Sequence, residues 1–264
     1  MNPIDDLSHG IMVLALLIAR GYGMLLAIPP LMKAGQGWLI RFPIALAIAL
    51  PSFVPAYQLS LQNFSVTNTA LLALREFMLG ALAGVFFLPL FAVPRAAGTL
   101  VDQQAGLMSI QLFDPTAAER TSTVFADLFE QSALFMFVAA GGFAMLSEMY
   151  AVSYSLWPST APGFPTLDQV ATMIPDGFSK MMATAIAYAA PFVVVLIVLE
   201  YGIGLVGRAA PQINILTTSV AIKMVAVASV MLLGNAYFVD DYTNLMAVAL
   251  DEGKAFLGTV LRYK

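Results

Sequence analysis

The amino-acid sequence predicts an all-α fold: a hydrophobic, multi-helix protein of the membrane class with kinked or broken helices. Hydrophobic residues make up 60% of the 264 positions, charged residues only 11%, and the mean hydropathy is +0.84. Soluble domains carry about 25% charged residues, so this chain has too few charges to cover a water-facing surface. Its 15 prolines interrupt the apolar runs, and proline bends or ends a helix. A soluble enzyme and a disordered chain are both excluded.

The N-terminal region predicts two helices. Two uncharged runs, Ile11–Ala19 and Gly21–Met32, flank Arg20 and together predict one helix with this arginine buried midway. A second helix is expected near Trp38–Leu50, before a turn rich in proline. The acidic start of the chain differs from the basic start of a signal peptide, so we expect the N-terminus to be retained.

Further helices follow along the chain. One is expected from about Val66 to Phe91, with a kink at Pro89 and an end near Pro94. Because several apolar runs are shorter than the ~20 residues that span a bilayer, hydropathy indicates about five or six spans with poorly defined ends. The later runs are Gln131–Ser147, Met181–Leu199 and Met224–Val239.

Two substantial connections separate these runs. The first, Arg95–Thr123, contains a predicted loop over Gln103–Phe113. Asp114 and Pro115 then predict a helix start, because aspartate accepts hydrogen bonds from free backbone N–H groups and proline suits the first helical position. The second connection, about residues 155–177, is rich in proline and predicts a polar excursion outside the apolar layer.

Scarce reactive residues exclude most catalytic and metal sites. The chain has no cysteine and a single histidine, His9, so thiolate sites and sites with two imidazoles are excluded. Neither a G-x-x-x-x-G-K-[ST] motif for phosphate nor an H-E-x-x-H motif for zinc occurs. The net charge of −4 provides no basic surface for nucleic acid. We expect no enzyme, no cofactor and no metal.

A few charged residues interrupt otherwise apolar surroundings. Ionisable groups at membrane depth are costly and usually face the protein interior or a water-filled path. They indicate a polar route or contacts that pair subunits, although long side chains near helix ends also reach the membrane interface. The residues concerned are Arg20, Arg75, Glu76, Glu200, Arg208 and Lys223.

Small residues lie near these charges. Gly80 and Gly84 form a G-x-x-x-G pattern, and Gly202, Gly204 and Gly207 are closely spaced further on. Such spacing lets helices approach closely. Two explanations fit these features: a transporter with broken helices, or a subunit whose apolar faces meet other protein chains. Composition alone does not choose between them.

The most specific pattern lies near the C-terminal third. Glu200 is followed by three glycines, Arg208, Ala-Ala-Pro211-Gln212 and Asn214. This stretch closely resembles the "E…G…R.APQ.N" motif of the SctT/FliR family, which are inner-membrane export apparatus proteins of type III secretion.

Other pieces resemble the same family in the same order. Arg75-Glu76 with Gly80 and Gly84 is similar to its "E…G…G" helix, and residues 97–106 before Asp114-Pro115 are similar to its "G..id.q.G…DP" loop. The resemblance covers about residues 11–235, and one domain is expected over residues 1–264.

One part of the pattern separates the two branches of the family. Flagellar members usually carry Asn at the position of Glu200, whereas Ser219 and Lys223 are similar to the injectisome branch. The resemblance therefore favours an injectisome SctT over a flagellar FliR.

The resemblance implies a helical, cone-shaped export gate that this chain builds with SctR and SctS homologues in the bacterial inner membrane, partly raised toward the periplasm. Further implied partners are SctU and SctV homologues, a needle or inner-rod adaptor, membrane lipid and unfolded secretion substrates. The family's plug loop matches about residues 103–123. By this resemblance the gate residues are Gln104, Gly106, Met108, Asp114 and Pro115.

Two functions follow as expectations. The first is a structural and gating subunit that closes a channel for unfolded proteins until secretion begins. The alternative is a secondary transporter of a small solute, with Arg20, Glu76 and Glu200 lining a polar site at the membrane midplane. An intramembrane hydrolase is disfavoured because the catalytic partners are missing from the sequence.

Overall fold

A computed structural model describes residues 3–32, 38–58, 66–107, 123–159, 161, 173–209 and 215–260. These residues form helices and the turns between them, without any strand, which confirms the predicted all-α class. The α-helices are α1 (Pro3–Leu25), α2 (Pro29–Met32), α3 (Trp38–Ala49), α4 (Phe53–Gln58), α5 (Val66–Gly84), α6 (Leu88–Ala105), α7 (Val124–Ala139), α8 (Gly142–Leu156), α9 (Met173–Ala209), α10 (Ile215–Leu233) and α11 (Asn235–Val260). Short 3-10 turns at Leu50–Ser52 and Val85–Phe87 join α3 to α4 and α5 to α6.

Several of these helices are suited to a membrane by length and composition. Within the described residues, three stretches are long and apolar enough to cross it: Ile40–Tyr57, Ala70–Ala105 and Gly177–Ala209. The pairs α7–α8 and α10–α11 bend by 72° and 68°, and counting each pair as one span raises the total to up to five. The kinked, broken helices expected from the prolines and glycines are therefore present.

The chain divides into two compact units. Unit 1 comprises residues 1–89, 137–174 and 245–264, and unit 2 comprises residues 90–136 and 175–244. The single domain expected over residues 1–264 stays a prediction, because the compactness of each unit does not test whether either folds alone.

Unit 1 is organised around the crossing of α1 and α5. A Cβ atom on Gly80 would overlap the backbone carbonyl oxygen of Arg20, and one on Gly84 would lie 2.6 Å from the carbonyl oxygen of Met24. Gly23 on α1 is equally close to the backbone of Phe77. Glycines on both helices therefore bring the two backbones together, as small residues do in membrane proteins.

The helix α8 completes unit 1 by packing on α3 and α5. The buried Tyr150 hydroxyl on α8 donates a hydrogen bond to the carbonyl oxygen of Leu17 at 3.0 Å. Before α8 the chain turns at Gly141, whose φ of 80° is a left-handed value that favours glycine. The single helical run expected over Gln131–Ser147 is therefore wrong, because this turn divides it between α7 and α8.

An aromatic core holds unit 2 together. The rings of Phe129 on α7 and Phe192 on α9 lie 5.0 Å apart, and Phe192 stacks on Phe238 of α11 at 5.2 Å. The hydroxyl of Tyr188 donates to the carbonyl oxygen of Phe238 at 3.0 Å. Offset aromatic pairs of this kind stabilise a core beyond the area that they bury.

The single helix expected from about Val66 to Phe91 is wrong, because the 3-10 turn Val85–Phe87 divides it into α5 and α6. The helix α6 also extends further than the sequence predicted. Pro94 lies inside it, and the helix continues to Ala105, so a helix end near Pro94 and a connection beginning at Arg95 are both wrong. Pro89 falls at the start of α6, where its missing N–H is not needed. The loop expected from Gln103 is also corrected, because Gln103 and Gln104 form the last turn of α6.

Two later helical boundaries also differ. The run expected over Met181–Leu199 extends in both directions, and α9 reaches Ala209. The run expected over Met224–Val239 breaks at Gly234, between α10 and α11. In α9 the glycines after Leu199 remain helical, because a single glycine costs a helix only about 1 kcal/mol relative to alanine.

Candidate functional site

The end of α6 meets α9 and α10 in a group that we call the unit 2 polar cluster: Gln104, Glu200 and Lys223. The side-chain amide of Gln104 donates to the Glu200 carboxylate at 3.0 Å. The ammonium group of Lys223 lies 3.6 Å from the same carboxylate and donates to the backbone carbonyl oxygen of Gln104 at 3.1 Å. Lys223 thus places a positive charge at the negative end of the α6 dipole, which is a stabilising position.

The two charged members of this cluster differ in burial. The Lys223 side chain is 8% exposed, whereas that of Glu200 is 59% exposed. A pair that is partly in solvent contributes little to stability. The unit 2 polar cluster can therefore change its partners at low cost.

Helix α6 ends at Gly106, directly after this cluster. The φ of Gly106 is 84°, and no described residue lies within 4 Å of a Cβ atom built at this position. Its backbone N–H donates to the carbonyl oxygen of Gln103 at 3.1 Å, which closes the final turn. The left-handed conformation, rather than crowding, is what requires glycine here.

Asp102 joins α6 to the beginning of α7. The backbone N–H groups of Phe125 and Ala126 donate to its two carboxylate oxygens at 2.9 and 3.0 Å. These are the free N–H groups of the first turn of α7, which an acidic side chain satisfies and stabilises. Gly98 permits this contact, because a Cβ atom there would lie 2.5 Å from the Cα atom of Ala126.

A second contact between α6 and α7 is ionic. Arg95 pairs with Asp127 at 3.0 Å and also with Glu130. The Glu130 side chain is 1% exposed, so its charge depends on this arginine. Together with Asp102, the Arg95 pairs fix the end of α6 against the start of α7.

Unit 1 contains a different group, the unit 1 charge cluster: Arg20, Arg75 and Glu76. Arg20 donates to Glu76 through Nε at 2.7 Å and lies 2.6 Å from it through Nη2, and Arg75 pairs with the other Glu76 oxygen at 2.9 Å. The Arg20 and Glu76 side chains are 0% and 1% exposed. All three are therefore held away from solvent around a single carboxylate.

The arginines of this cluster also bind the backbone that follows α8. Arg20 donates to the carbonyl oxygen of Trp157 at 2.8 Å, while Arg75 donates to those of Ser159, at 2.6 Å, and Ala161. Three alternate carbonyl groups are thereby satisfied by two guanidinium groups. The charge cluster fixes the beginning of the proline-rich connection.

These arrangements suit a structural element more than a reaction centre. Among the described residues there is no group of acidic or histidine side chains that could hold a metal ion. The buried carboxylates of Asp102 and Glu76 are engaged by backbone N–H groups and guanidinium groups, respectively. What the geometry provides is a set of polar contacts that join helix ends.

The structure describes most of the site residues expected from sequence. Gln104 and Gly106 lie at the end of α6, and Gly80 and Gly84 lie at the α1–α5 crossing. Arg208 is exposed in the last turn of α9. The remaining predicted residues lie outside the described residues: Met108, Asp114, Pro115, Pro211, Gln212 and Asn214.

Sequence reasoning missed the ionic contacts between α6 and α7. Arg95 and Glu130 were not among the charges singled out, and Asp102 was placed in a connection rather than in a helix that caps its neighbour. A signal was available, since Asp127 and Glu130 are three positions apart and share one face of a helix.

One family model and several known proteins are similar to this chain over most of its length. A family described as bacterial export proteins, family 1, matches residues 11–249. The Yop proteins translocation protein T of Yersinia pestis is 29% identical over 231 residues, which is 86% of this chain and 87% of that protein. The secretion system apparatus protein SsaT of Salmonella typhimurium is 24% identical over 251 residues, 90% of this chain and 92% of that protein. The flagellar biosynthetic protein FliR of Escherichia coli is 26% identical over 206 residues, 76% of this chain and 74% of that protein.

Proposed function

The chain belongs to the bacterial export proteins, family 1, and from this premise we propose that it is a structural and gating subunit of a type III secretion export gate. It closes, with SctR and SctS homologues, a channel through which unfolded proteins are exported. It performs no catalysis, and its polar residues hold the closed state. The gate segment is the stretch from about residue 103 to 123, with Gln104 and Gly106 at its start.

The observation that carries this proposal is the double hydrogen bond from α7 to Asp102. Asp102 precedes residues 108–122 in the chain, and Phe125 and Ala126 follow them. The two ends of that segment are therefore tied together at one point in unit 2. A segment with a fixed base can obstruct a lumen and return to its place after passage of a substrate.

Exposed apolar side chains support the proposed assembly with other subunits. Tyr201 on α9 is 76% exposed, and Leu232 and Leu233 at the end of α10 are 79% and 88% exposed. Large exposed apolar surfaces mark contacts with protein or lipid. We infer that the chain sits in the bacterial inner membrane, partly raised toward the periplasm, where SctR, SctS, SctU and SctV homologues and a needle or inner-rod adaptor contact it.

The injectisome branch is favoured over the flagellar one. The names of two of the relatives refer to Yop protein translocation and a secretion system apparatus, and they align over 86% and 90% of this chain, against 76% for the flagellar protein. Glu200 and Lys223, which drew attention to this branch in the sequence, are in contact with each other.

The contacts of the unit 1 charge cluster argue against a solute transporter. Arg20 and Glu76 are buried, and they bind each other and the backbone. A substrate site needs polar groups that a solute can reach, and these two are already engaged within unit 1.

Replacing Gly106 by valine tests the gating role. The left-handed φ costs a non-glycine residue about 1–2 kcal/mol, so Gly106→Val shifts the end of α6 without a clash of its Cβ atom with any residue that the structure describes. Gly141→Val is the matched control, since Gly141 also has a left-handed φ, 80°, and open space around its Cβ position. We expect increased ion leakage through the purified complex for Gly106→Val only, with assembly intact. Equal leakage for wild type and Gly106→Val would contradict the gate assignment.

A further inference from the structure

The C-terminal part of α9 continues beyond the length that a bilayer needs. The helix has 37 residues, which corresponds to about 55 Å, whereas the hydrocarbon core is about 30 Å thick. The uncharged run Met181–Leu199 is by itself long enough to span it. Glu200–Ala209 therefore extends past this run, yet Tyr201 and Leu205 on it are 76% and 66% exposed.

One face of this extension has the spacing of a helix-packing seam. Ile197, Tyr201, Gly204 and Arg208 follow each other in steps of four, three and four residues, the spacing at which side chains of one helix insert between those of another. They line a concavity of about 570 Å³ together with Glu200 and Leu205. Of the residues that the structure describes, none lies within 4 Å of a Cβ atom built on Gly204, at the floor of the concavity.

The charges on this face are unequally satisfied. Glu200 is held by Gln104 and Lys223. Arg208, two helical turns further on, is exposed and makes no ion pair with any residue that the structure describes. An apolar side chain fits above Gly204, because Tyr201 and Leu205 line the same concavity, and a negative group complements Arg208.

We propose that Ile197, Tyr201, Gly204, Leu205 and Arg208, the α9 seam, dock an apolar helix of a neighbouring export-gate subunit that brings a carboxylate to Arg208. The inference rests on the proposed function, because it takes the neighbour to be an SctR- or SctS-type subunit. The apolar side chains of that helix cover Tyr201 and Leu205, and its backbone approaches closely at Gly204.

A second copy of this chain fits the seam poorly. Two copies inserted into a membrane have the same orientation, so pairing of their seams is parallel. Parallel pairing places Arg208 against Arg208 and Glu200 against Glu200, and like charges in contact are unfavourable. A partner of different sequence avoids this repulsion.

Photocrosslinking within the co-expressed complex tests the seam. p-Benzoylphenylalanine replaces Tyr201 in the seam or Val206 on the opposite face of α9, which is 54% exposed and serves as the matched control. We expect Tyr201 to crosslink to an SctR- or SctS-type subunit at least about tenfold more than Val206 does, given the roughly 140° between the two positions on the helix. Equal crosslinking, or products containing only lipid or a second copy, would overturn the proposal.

Charge reversal at Arg208 tests the carboxylate. Arg208→Glu should lower recovery of the complex about tenfold, Arg208→Lys should retain it, and changing the crosslinked partner's carboxylate to lysine should restore it in the Arg208→Glu background. If the Arg208→Glu complex is recovered at the wild-type level, the proposed docking at the α9 seam is wrong, whereas the proposed function is not affected. Failure of the wild-type chain to co-purify with its partners instead contradicts the proposed function.

Discussion

The unit 1 charge cluster and the unit 2 polar cluster hold ionic groups in opposite ways. In unit 1, Arg20 and Glu76 are 0% and 1% exposed and are joined at 2.6 Å. In unit 2, Glu200 is 59% exposed and lies 3.6 Å from Lys223. The first arrangement has no access to solvent, whereas the second retains a carboxylate at the surface.

This difference separates a structural role from an adaptable one. A buried ion pair is strongly destabilising to break, because the remaining charge has no water to stabilise it. A partly exposed pair can be exchanged for water or for another subunit at little cost. The charges suited to a change of state are therefore those of the unit 2 polar cluster, next to Gly106 and Asp102.

The largest effect is expected for Glu76→Gln. Removing one partner of a buried pair costs about 3–5 kcal/mol, and two arginines lose their shared carboxylate here. The Tm of the purified complex should fall strongly. Glu148→Gln is the control, because Glu148 is 53% exposed and pairs with Lys254 at 2.6 Å. Similar Tm values for the two variants would contradict the structural role of the unit 1 charge cluster.

A smaller loss is expected for Gly80→Ala. The added Cβ would overlap the carbonyl oxygen of Arg20, and such overpacking costs about 1–3 kcal/mol. Gly202→Ala provides the comparison, since no residue in the described part of the chain lies within 4 Å of its Cβ position and alanine favours a helix by about 1 kcal/mol relative to glycine. Thermal unfolding should place Gly80→Ala below wild type and Gly202→Ala at or above it; the reverse order would contradict the close α1–α5 crossing.

Asp102→Ala should have a moderate effect that is confined to one helix end. Loss of a capping side chain costs about 0.5–2 kcal/mol. Hydrogen exchange should show faster exchange of the Phe125 and Ala126 amides, while the amides of α5 stay protected. Asp102→Asn keeps one acceptor oxygen, so the exchange rates of these two amides should lie between those of wild type and Asp102→Ala. Unchanged amide exchange in Asp102→Ala would contradict the role of Asp102 as the cap of α7.

The smallest effect on stability is expected for Lys223→Met. Its contacts are one hydrogen bond to the Gln104 carbonyl and a 3.6 Å pair with an exposed carboxylate, so the free energy of unfolding should change by less than about 1 kcal/mol. Ion leakage through the complex should nevertheless increase, because the end of α6 loses its positive charge. A large drop in Tm would contradict this expectation, because it would give Lys223 the same structural role as the unit 1 charge cluster.

The sequence predicted local features well and contacts between distant segments poorly. The uncharged runs around Arg20 predicted one helix with the arginine buried, and Arg20 is buried within α1. The predicted extension of that helix to Met32 is wrong, because α1 ends at Leu25 and a separate short helix, α2, covers Pro29–Met32. The partner of Arg20, Glu76, is 56 positions away, and no periodicity within a helix reports on such a distance. Gly80 and Gly84 indicated a close approach, but they did not identify α1 as the neighbour.

The errors in the sequence-based helix boundaries have two opposite physical causes. Pro94 and the polar residues after it predicted a helix end, yet α6 continues to Ala105. In this protein Asp102 is satisfied by α7 and Gln104 by Glu200, so tertiary contacts outweigh local preference. At Gly141 the opposite holds, since a left-handed φ divides an apolar run that looked continuous.

We propose that neighbouring subunits hold these apolar helices, and the oligomeric state of the chain tests this proposal most directly. The wild-type chain, expressed with and without its SctR and SctS homologues, is purified in detergent, and its molar mass is measured by light scattering. We predict a monodisperse complex with the partners and an aggregated or degraded chain without them. A stable, folded monomer that takes up a small solute in vesicles would contradict the account.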